Sequence, residues 1–243
     1  MRPKALLGIT GVAAPINTAE LFSNTSLPEP ALCQLMVGAT YKEGFAVVQA
    51  FPSQDDILSL MSVQPGQFGK NLHANLNIAM QVGGPRCKGL IVEDGGWLYA
   101  RDLELFHADQ TQKVTVALVI GEKRFGWCEH APSVISRILK EYEGLVDYAL
   151  ITPKMRMGTY DLSWLDGCVR RIYDDHPWLG LAVARVPGPD SLGILQPIIT
   201  KCPEVGLVAG ETVQSSDGKV DPHKMRNFFL RATSMYNLLA RAA

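Results

Sequence analysis

The sequence predicts a parallel α/β fold, a single (β/α)8 TIM barrel, and three observations carry that prediction. Short apolar runs alternate with stretches of helical period along the chain. The alternation repeats eight times in 243 residues, near the roughly 250 that such a barrel takes. No linker, low-complexity tract or charge run divides the chain, so residues 1–243 read as one barrel domain. A doubly wound open sheet is the competing fold. It would carry G-x-G-x-x-G in its first turn, and Thr10-Gly11-Val12-Ala13-Ala14 lacks that spacing.

Residues 4–10 are apolar with β-branched members and form the first strand, and Asn17 with Glu20 three positions on is a capping-box start for a helix. The opening Met1-Arg-Pro-Lys and the apolar residues 5–14 mimic a secretory leader. Thr10, Gly11 and Pro15 interrupt that run, and the barrel needs it as a strand. Residues 32–40 give the second strand. A longer connection carrying Gly44 leads to Ser53, which with Asp55 and Asp56 caps a short helix containing Ile57, Leu58 and Met61. The third strand is read in Asn71-Leu-His-Ala-Asn-Leu76, where polar and apolar residues alternate, and residues 77–82 form a helix stopped by Gly83-Gly84-Pro85.

Residues 88–92 are the fourth strand, with Glu93 and Asp94 at its carboxyl end, and residues 98–107 the following helix. Residues 114–120 form the fifth strand. An amphipathic helix follows, with Val134, Ile135, Ile138, Leu139 and Tyr142 on one face. Residues 146–152 are the sixth strand, and Leu162, Leu165, Val169 and Ile172 line the sixth helix. The seventh strand ends at Ala184, residues 205–209 are the eighth, and Asp221-Pro222 starts the closing helix. A closed parallel sheet needs all eight, so a helix in place of the strand near His73 or Leu35 would break the prediction.

A chain that is 47% hydrophobic and 19% charged, with a formal net charge of -1, can bury a large core. It has no surplus of positive charge to hold nucleic acid or an anionic membrane, and no apolar run that spans a bilayer. Its five cysteines are odd in number, widely spaced and never in Cys-x-x-Cys, which implies reduced thiols in a cytoplasmic protein and argues against a zinc cluster. Nucleic acid and membrane are thus not expected as partners, and a homo-oligomer is left open.

In such a barrel the working face lies at the carboxyl ends of the strands. The residues predicted there are Thr10, Thr40 with Lys42, His73 with Asn75, Glu93 with Asp94, Glu122 with Lys123, Thr152 with Lys154, Arg185, and Glu211 with Thr212. His73 and the Glu93-Asp94 pair could hold a metal in principle. His107, His130, His176 and His223 all fall at helix ends or starts, so neither a metal nor a cofactor is expected. Lys154 could act as a Schiff-base nucleophile if desolvated near other cations, although a solvated loop lysine is the plainer reading.

The stretch 178–194 is the most informative. Its apolar strand breaks at Pro187-Gly188-Pro189 into a helix start, a turn that can present backbone N–H groups to an anion. Arg185 would add a full positive charge there, with Asp190 capping the helix. A plain connection with proline at N1 is the bland reading of an isolated turn of this kind. Its place as the seventh of eight units favours the anion site.

Three further matches add to this reading. Lys4-Ala-Leu-Leu-Gly-Ile-Thr10, Leu35-Met-Val-Gly-Ala-Thr-Tyr-Lys42, Gly180-Leu-Ala-Val-Ala-Arg-Val-Pro-Gly-Pro-Asp190 and Ser216-Asp-Gly-Lys-Val-Asp221 together resemble the phosphoribosylanthranilate isomerase group of barrels, in a branch of unassigned activity. The resemblance implies the barrel fold and a phosphate site after the seventh and eighth strands. That family's catalytic cysteine on the first strand matches Leu7, and its catalytic aspartate at the end of the sixth falls at or near Thr152. Neither residue can serve as general acid or base near neutral pH, so the family's acid–base reaction does not carry over. Its phosphate-binding Gly-Gly corresponds to Arg185-Val186, with Gly188 and Gly210 nearby.

Three readings follow. The first is a cytoplasmic enzyme or former enzyme, isomerase-like but not a standard phosphoribosylanthranilate isomerase, whose pocket accepts a small anionic or phosphorylated metabolite at Arg185, Gly188 and Gly210. Against it stands an internal Arg185–Glu211 pair that would close the site. The second is a barrel without catalysis, a binding or assembly module, which a plugged mouth would favour. The third is a Schiff-base lyase using Lys154, with Glu211 or Glu93 as proton shuttle and His73 as a further candidate; a Lys154 amine buried in the mouth would favour it.

Overall fold

Apolar runs of β-branched and small residues bury both faces when strands lie parallel and helices cover the outside. Here they close into a ring. Residues 2–12, 33–41, 51–52, 56–64, 67, 71–93, 100–121, 131–156 and 159–242 are described in a computed structural model of the chain. The strands are β1 (Ala5–Val12), β2 (Cys33–Thr40), β3 (Leu58–Val63), β4 (Gly89–Val92), β5 (Thr115–Ile120), β6 (Tyr148–Ile151), β7 (Met155–Arg156), β8 (Thr159–Tyr160), β9 (Gly180–Ala184) and β10 (Val205–Ala209). Eight of them form a closed parallel barrel in the order β1-β10-β9-β6-β5-β4-β3-β2, and β7 and β8 make a separate antiparallel hairpin. Leu7 pairs with Leu207 of β10 on one side and Leu35 of β2 on the other, which seals the ring.

The helices are α1 (Leu72–Gly83), α2 (Ala100–Asp109), α3 (Pro132–Leu139), α4 (Leu162–Asp175), α5 (Gln196–Lys201) and α6 (Pro222–Ala242). The start of α6 is as the sequence predicts: Asp221 Oδ1 accepts the N–H groups of His223 and Lys224 at 2.9 and 3.1 Å, ahead of proline at the first helical position. Neighbouring helices are pinned by side chains. His73 Nε2 of α1 lies 2.7 Å from Asp109 Oδ2 of α2, and buried Ser136 of α3 donates to Asp175 of α4.

Alternation along each strand builds two cores. Leu6, Met36, Leu60, Ile91, Val119 and Leu150 fill the barrel interior. Leu7, Ile9, Met61 and Leu207 face outward and pack with Leu76, Leu103, Leu165 and Phe228 of the helices. Space inside the ring is short at its amino end. A Cβ on Gly206 would lie 2.2 Å from the Leu6 carbonyl oxygen, and one on Gly89 would lie 1.9 Å from that of Thr115, so these positions exclude a side chain.

One unit is displaced from its predicted place. The stretch around His73 is helical, which taken alone would have opened the predicted barrel. The third strand is instead residues 58–63, predicted as a helix. Asn71 is the N-cap of α1, its side chain accepting from the Ala74 N–H at 3.0 Å, and Leu76, Ala79 and Gly83 are buried at helical spacing. Leu-Ser-Leu-Met-Ser-Val is buried on both faces. Ser59 and Ser62 broke the apolar run at a spacing of three, which imitates a helix.

The predicted first helix at Asn17–Glu20 lies outside the described residues, as do Lys42, Asp94, Glu122, Lys123 and Cys128. Residues 5–12 of the leader-like apolar stretch form β1, a strand of the barrel wall between β10 and β2. Cys33, Cys87, Cys168 and Cys202 are free and buried. Burial pushes the Cys33 and Cys168 thiols up to about 12 and the Cys87 thiol to about 11, so all three stay protonated at neutral pH. Among the described residues, no helix is long and apolar enough to cross a membrane.

Candidate functional site

The same alternation decides which side chains reach the mouth. Each inward position is followed two residues later by another, so Leu6 leads through Gly8 to Thr10, Met36 through Gly38 to Thr40, Leu60 to Ser62, Ile91 to Glu93, and Leu150 to Thr152. The resulting ring surrounds an open cavity of about 230 Å³ floored by Ile91, Val119 and Leu150. It is a polar ring on an apolar base, and no side chain among the described residues plugs it.

Glu93 is one of two carboxylates on the cavity among the described residues, the other being Glu211. Ser62, buried on β3, donates its hydroxyl hydrogen to Glu93 Oε1 at 2.7 Å, which fixes the side chain against the wall. Thr10 Oγ1 donates to the Ala209 carbonyl at 3.4 Å. Thr152 Oγ1 is buried and has no hydrogen-bond partner among the described residues, an orphan that a ligand group could satisfy.

Across the mouth stands Arg185, directly after β9. It is exposed and lines the cavity. Its backbone has φ 53°, the one positive φ of a non-glycine residue among those described. Among the described residues its guanidinium makes no ion pair, so the predicted closure onto Glu211 is not formed. Glu211 lines the cavity and is exposed. Gly210 is buried beside it, and a Cβ there would lie 3.6 Å from Arg185 Cγ and 3.7 Å from Thr10 Oγ1.

Other predicted parts fall elsewhere. Gly188 is half-buried beside open space and does not line the cavity. The segment after it, Pro189–Leu195, is a 3-10 helix, and α5 begins only at Gln196, so the predicted α-helix N-terminus beside Arg185 is not formed. Asp190 does not cap this segment; it pairs with Arg231 at 2.8 Å. Lys154 is half-buried directly before the hairpin strand β7, and it does not line the cavity. His73 and Asn75 belong to α1, where His73 faces Asp109, so His73 and Glu93 do not come together as a metal-ligand set. Leu7 faces the helices and not the mouth, while Thr152 faces inward.

Sequence reasoning missed Ser62, Gln64 and Gln214, all on the cavity wall. Ser62 was hidden by the displaced third strand. The signal that could have found it is the run Leu58-Ser-Leu-Met-Ser-Val63, which fits a six-residue buried strand better than a helix. Gln214 donates through Nε2 to the Gly11 carbonyl at 3.3 Å and ties the turn after β10 to the end of β1.

With hydroxyls, two carboxylates and a guanidinium that makes no ion pair among the described residues, the mouth offers charge-assisted and neutral hydrogen bonds to a compact polar ligand. No family model matches the sequence, and no curated protein matches it. Solved structures do. The phosphoribosyl anthranilate isomerase of Thermotoga maritima is similar with a TM-score of 0.64 at 11% identity, covering 95% of this chain and 99% of that one. The enzyme from Thermus thermophilus gives 0.61 at 13% identity, with 96% and 99% covered. A phosphoribosyl anthranilate isomerase in complex with reduced 1-(o-carboxyphenylamino)-1-deoxyribulose 5-phosphate gives 0.63 at 10% identity, with 95% and 99% covered. At such identity the likeness concerns architecture, and over nearly its whole length this chain has the barrel fold seen in the phosphoribosylanthranilate isomerases.

Proposed function

We propose that the chain binds a small anionic or phosphorylated metabolite in the mouth of the barrel, with Arg185 as its charged anchor and Gly210 beside it. The observation that carries this reading is an exposed arginine with no ion-pair partner among the described residues, on the rim of an open cavity of about 230 Å³. An unpaired guanidinium at a concave, partly dry surface attracts an anion and can grip it with two parallel hydrogen bonds. The solved isomerase in complex with a deoxyribulose 5-phosphate derivative supports the same ligand class on the same fold.

Turnover by that family's route is not part of the proposal. Leu7 turns away from the mouth and Thr152 offers a hydroxyl, so among the described residues the acid–base groups on the cavity are Glu93 and Glu211. That favours a second reading, binding without catalysis. The lyase reading loses its support, since Lys154 does not line the cavity.

Titration with inorganic phosphate tests the proposal. Wild type should bind, and Arg185→Ala should bind on the order of tenfold to a hundredfold more weakly with its fold intact, as expected for a charge-assisted bidentate contact. Phosphate leaving both proteins unmoved at millimolar concentrations, or Arg185→Ala unfolding, would overturn it.

A further inference from the structure

Alternation would send Arg185 the wrong way. Ala184 faces the barrel interior, so its neighbour on a continuing strand would face the helices. Arg185 nevertheless lines the mouth, because its left-handed backbone turns the side chain back over the cavity. A side chain other than glycine's takes that conformation at a cost, and surrounding contacts must hold it.

Two hydroxyls do so. Tyr160 of β8 donates to the Arg185 carbonyl at 3.0 Å, and Thr212 Oγ1 donates to the next carbonyl, that of Val186, at 3.2 Å. Between them the Val186 N–H donates to Val208 O of β10 at 3.3 Å. Successive peptide groups of the elbow are thus held from the hairpin on one side and from the turn after β10 on the other. Partial burial raises the Tyr160 phenol above its ordinary range, so it remains a donor throughout neutral pH.

We infer that Tyr160 is the positioning residue of the anion site: its hydroxyl holds the Arg185 elbow in the conformation that aims the guanidinium into the mouth. The inference rests on the anion reading above and gives the β7–β8 hairpin a part in it. Tyr160 need touch no ligand, and its effect should pass entirely through Arg185.

A double-mutant cycle with inorganic phosphate reads this directly. Tyr160→Phe, which keeps the ring, should weaken phosphate binding about three- to tenfold, the loss expected for one hydrogen bond. In an Arg185→Ala background the same change should have no further effect. Thr212→Val, which removes the other hydroxyl, should act in the same direction. Phosphate binding by Tyr160→Phe as tight as in wild type, or an equal loss in the Arg185→Ala background, would overturn the inference. Should wild type itself fail to bind phosphate, the anion reading falls, and the Arg185 Nε–H resonance of the free protein decides the positioning role. A resonance displaced by Tyr160→Phe upholds that role, and an unmoved one refutes it.

Discussion

Ser62 on β3 and Glu93 after β4 meet at 2.7 Å on the wall of the mouth, a hydroxyl donating to a carboxylate across two adjacent strands. Ser62→Ala should cost about 1.5–3 kcal/mol in urea denaturation, the worth of a hydrogen bond to a charged acceptor. Glu93→Gln should cost less, since its amide oxygen can still accept from Ser62. Equal losses for the two would mean that the contact contributes little.

Arg185 holds φ 53° without being glycine. Arg185→Gly should therefore be more stable than Arg185→Ala by about 1 kcal/mol, because glycine enters the left-handed region without a Cβ clash. Denaturation midpoints of the two proteins measure this, and neither change should alter the far-ultraviolet circular dichroism.

Gly206 lies where a Cβ would come 2.2 Å from the carbonyl oxygen of Leu6. That contact is with backbone, which cannot swing aside. Gly206→Ala should cost about 3 kcal/mol or more, or prevent folding. By contrast, Gly193→Ala meets open space and should be close to neutral.

The Asp175 carboxyl is held below its ordinary range, first by the Ser136 hydroxyl and then by Arg171. A depressed carboxylate stabilises the fold above its unfolded pKa, and that stabilisation is lost as pH falls through the folded value. The contribution should thus be complete at neutral pH and disappear on acidification below the ordinary carboxylate value of 3.8. Ser136→Ala should move the Asp175 midpoint, followed by carbon-13 NMR, upward toward that value. A midpoint that stays put would assign the depression to Arg171.

Much of the barrel is legible in the sequence, because strands buried on both faces are continuous apolar runs and the amphipathic helices between them keep their period. The third unit is not. Its strand carries Ser59 and Ser62, and its helix opens on Asn71-Leu-His-Ala-Asn, where an N-cap and polar outer residues imitate strand alternation over a short window. That exchange moved His73 from a helix into the predicted mouth and hid Ser62, which belongs there. Arg185 was found because a lone cation after an apolar run stands out. Its left-handed turn was not, since that conformation depends on Tyr160 and Thr212, which come from elements distant in sequence. Asp190 was misassigned as a cap because its partner, Arg231, lies on the last helix.

The pairing of Leu7 with Leu207 sets the order in which the molecule can be completed. During synthesis the first strand emerges early and its partner almost last, so the nascent sheet carries two unpaired edges for most of its elongation. Such edges invite pairing with other chains until β10 arrives. The cost of closing so long a loop must also be met before the final strand returns any contacts, so ring closure should be late and slow relative to docking of the neighbouring β2, β3 and β4. Because the mouth residues Arg185 and Gly210 directly follow the last two barrel strands, the proposed anion site and the closed ring would come into existence together.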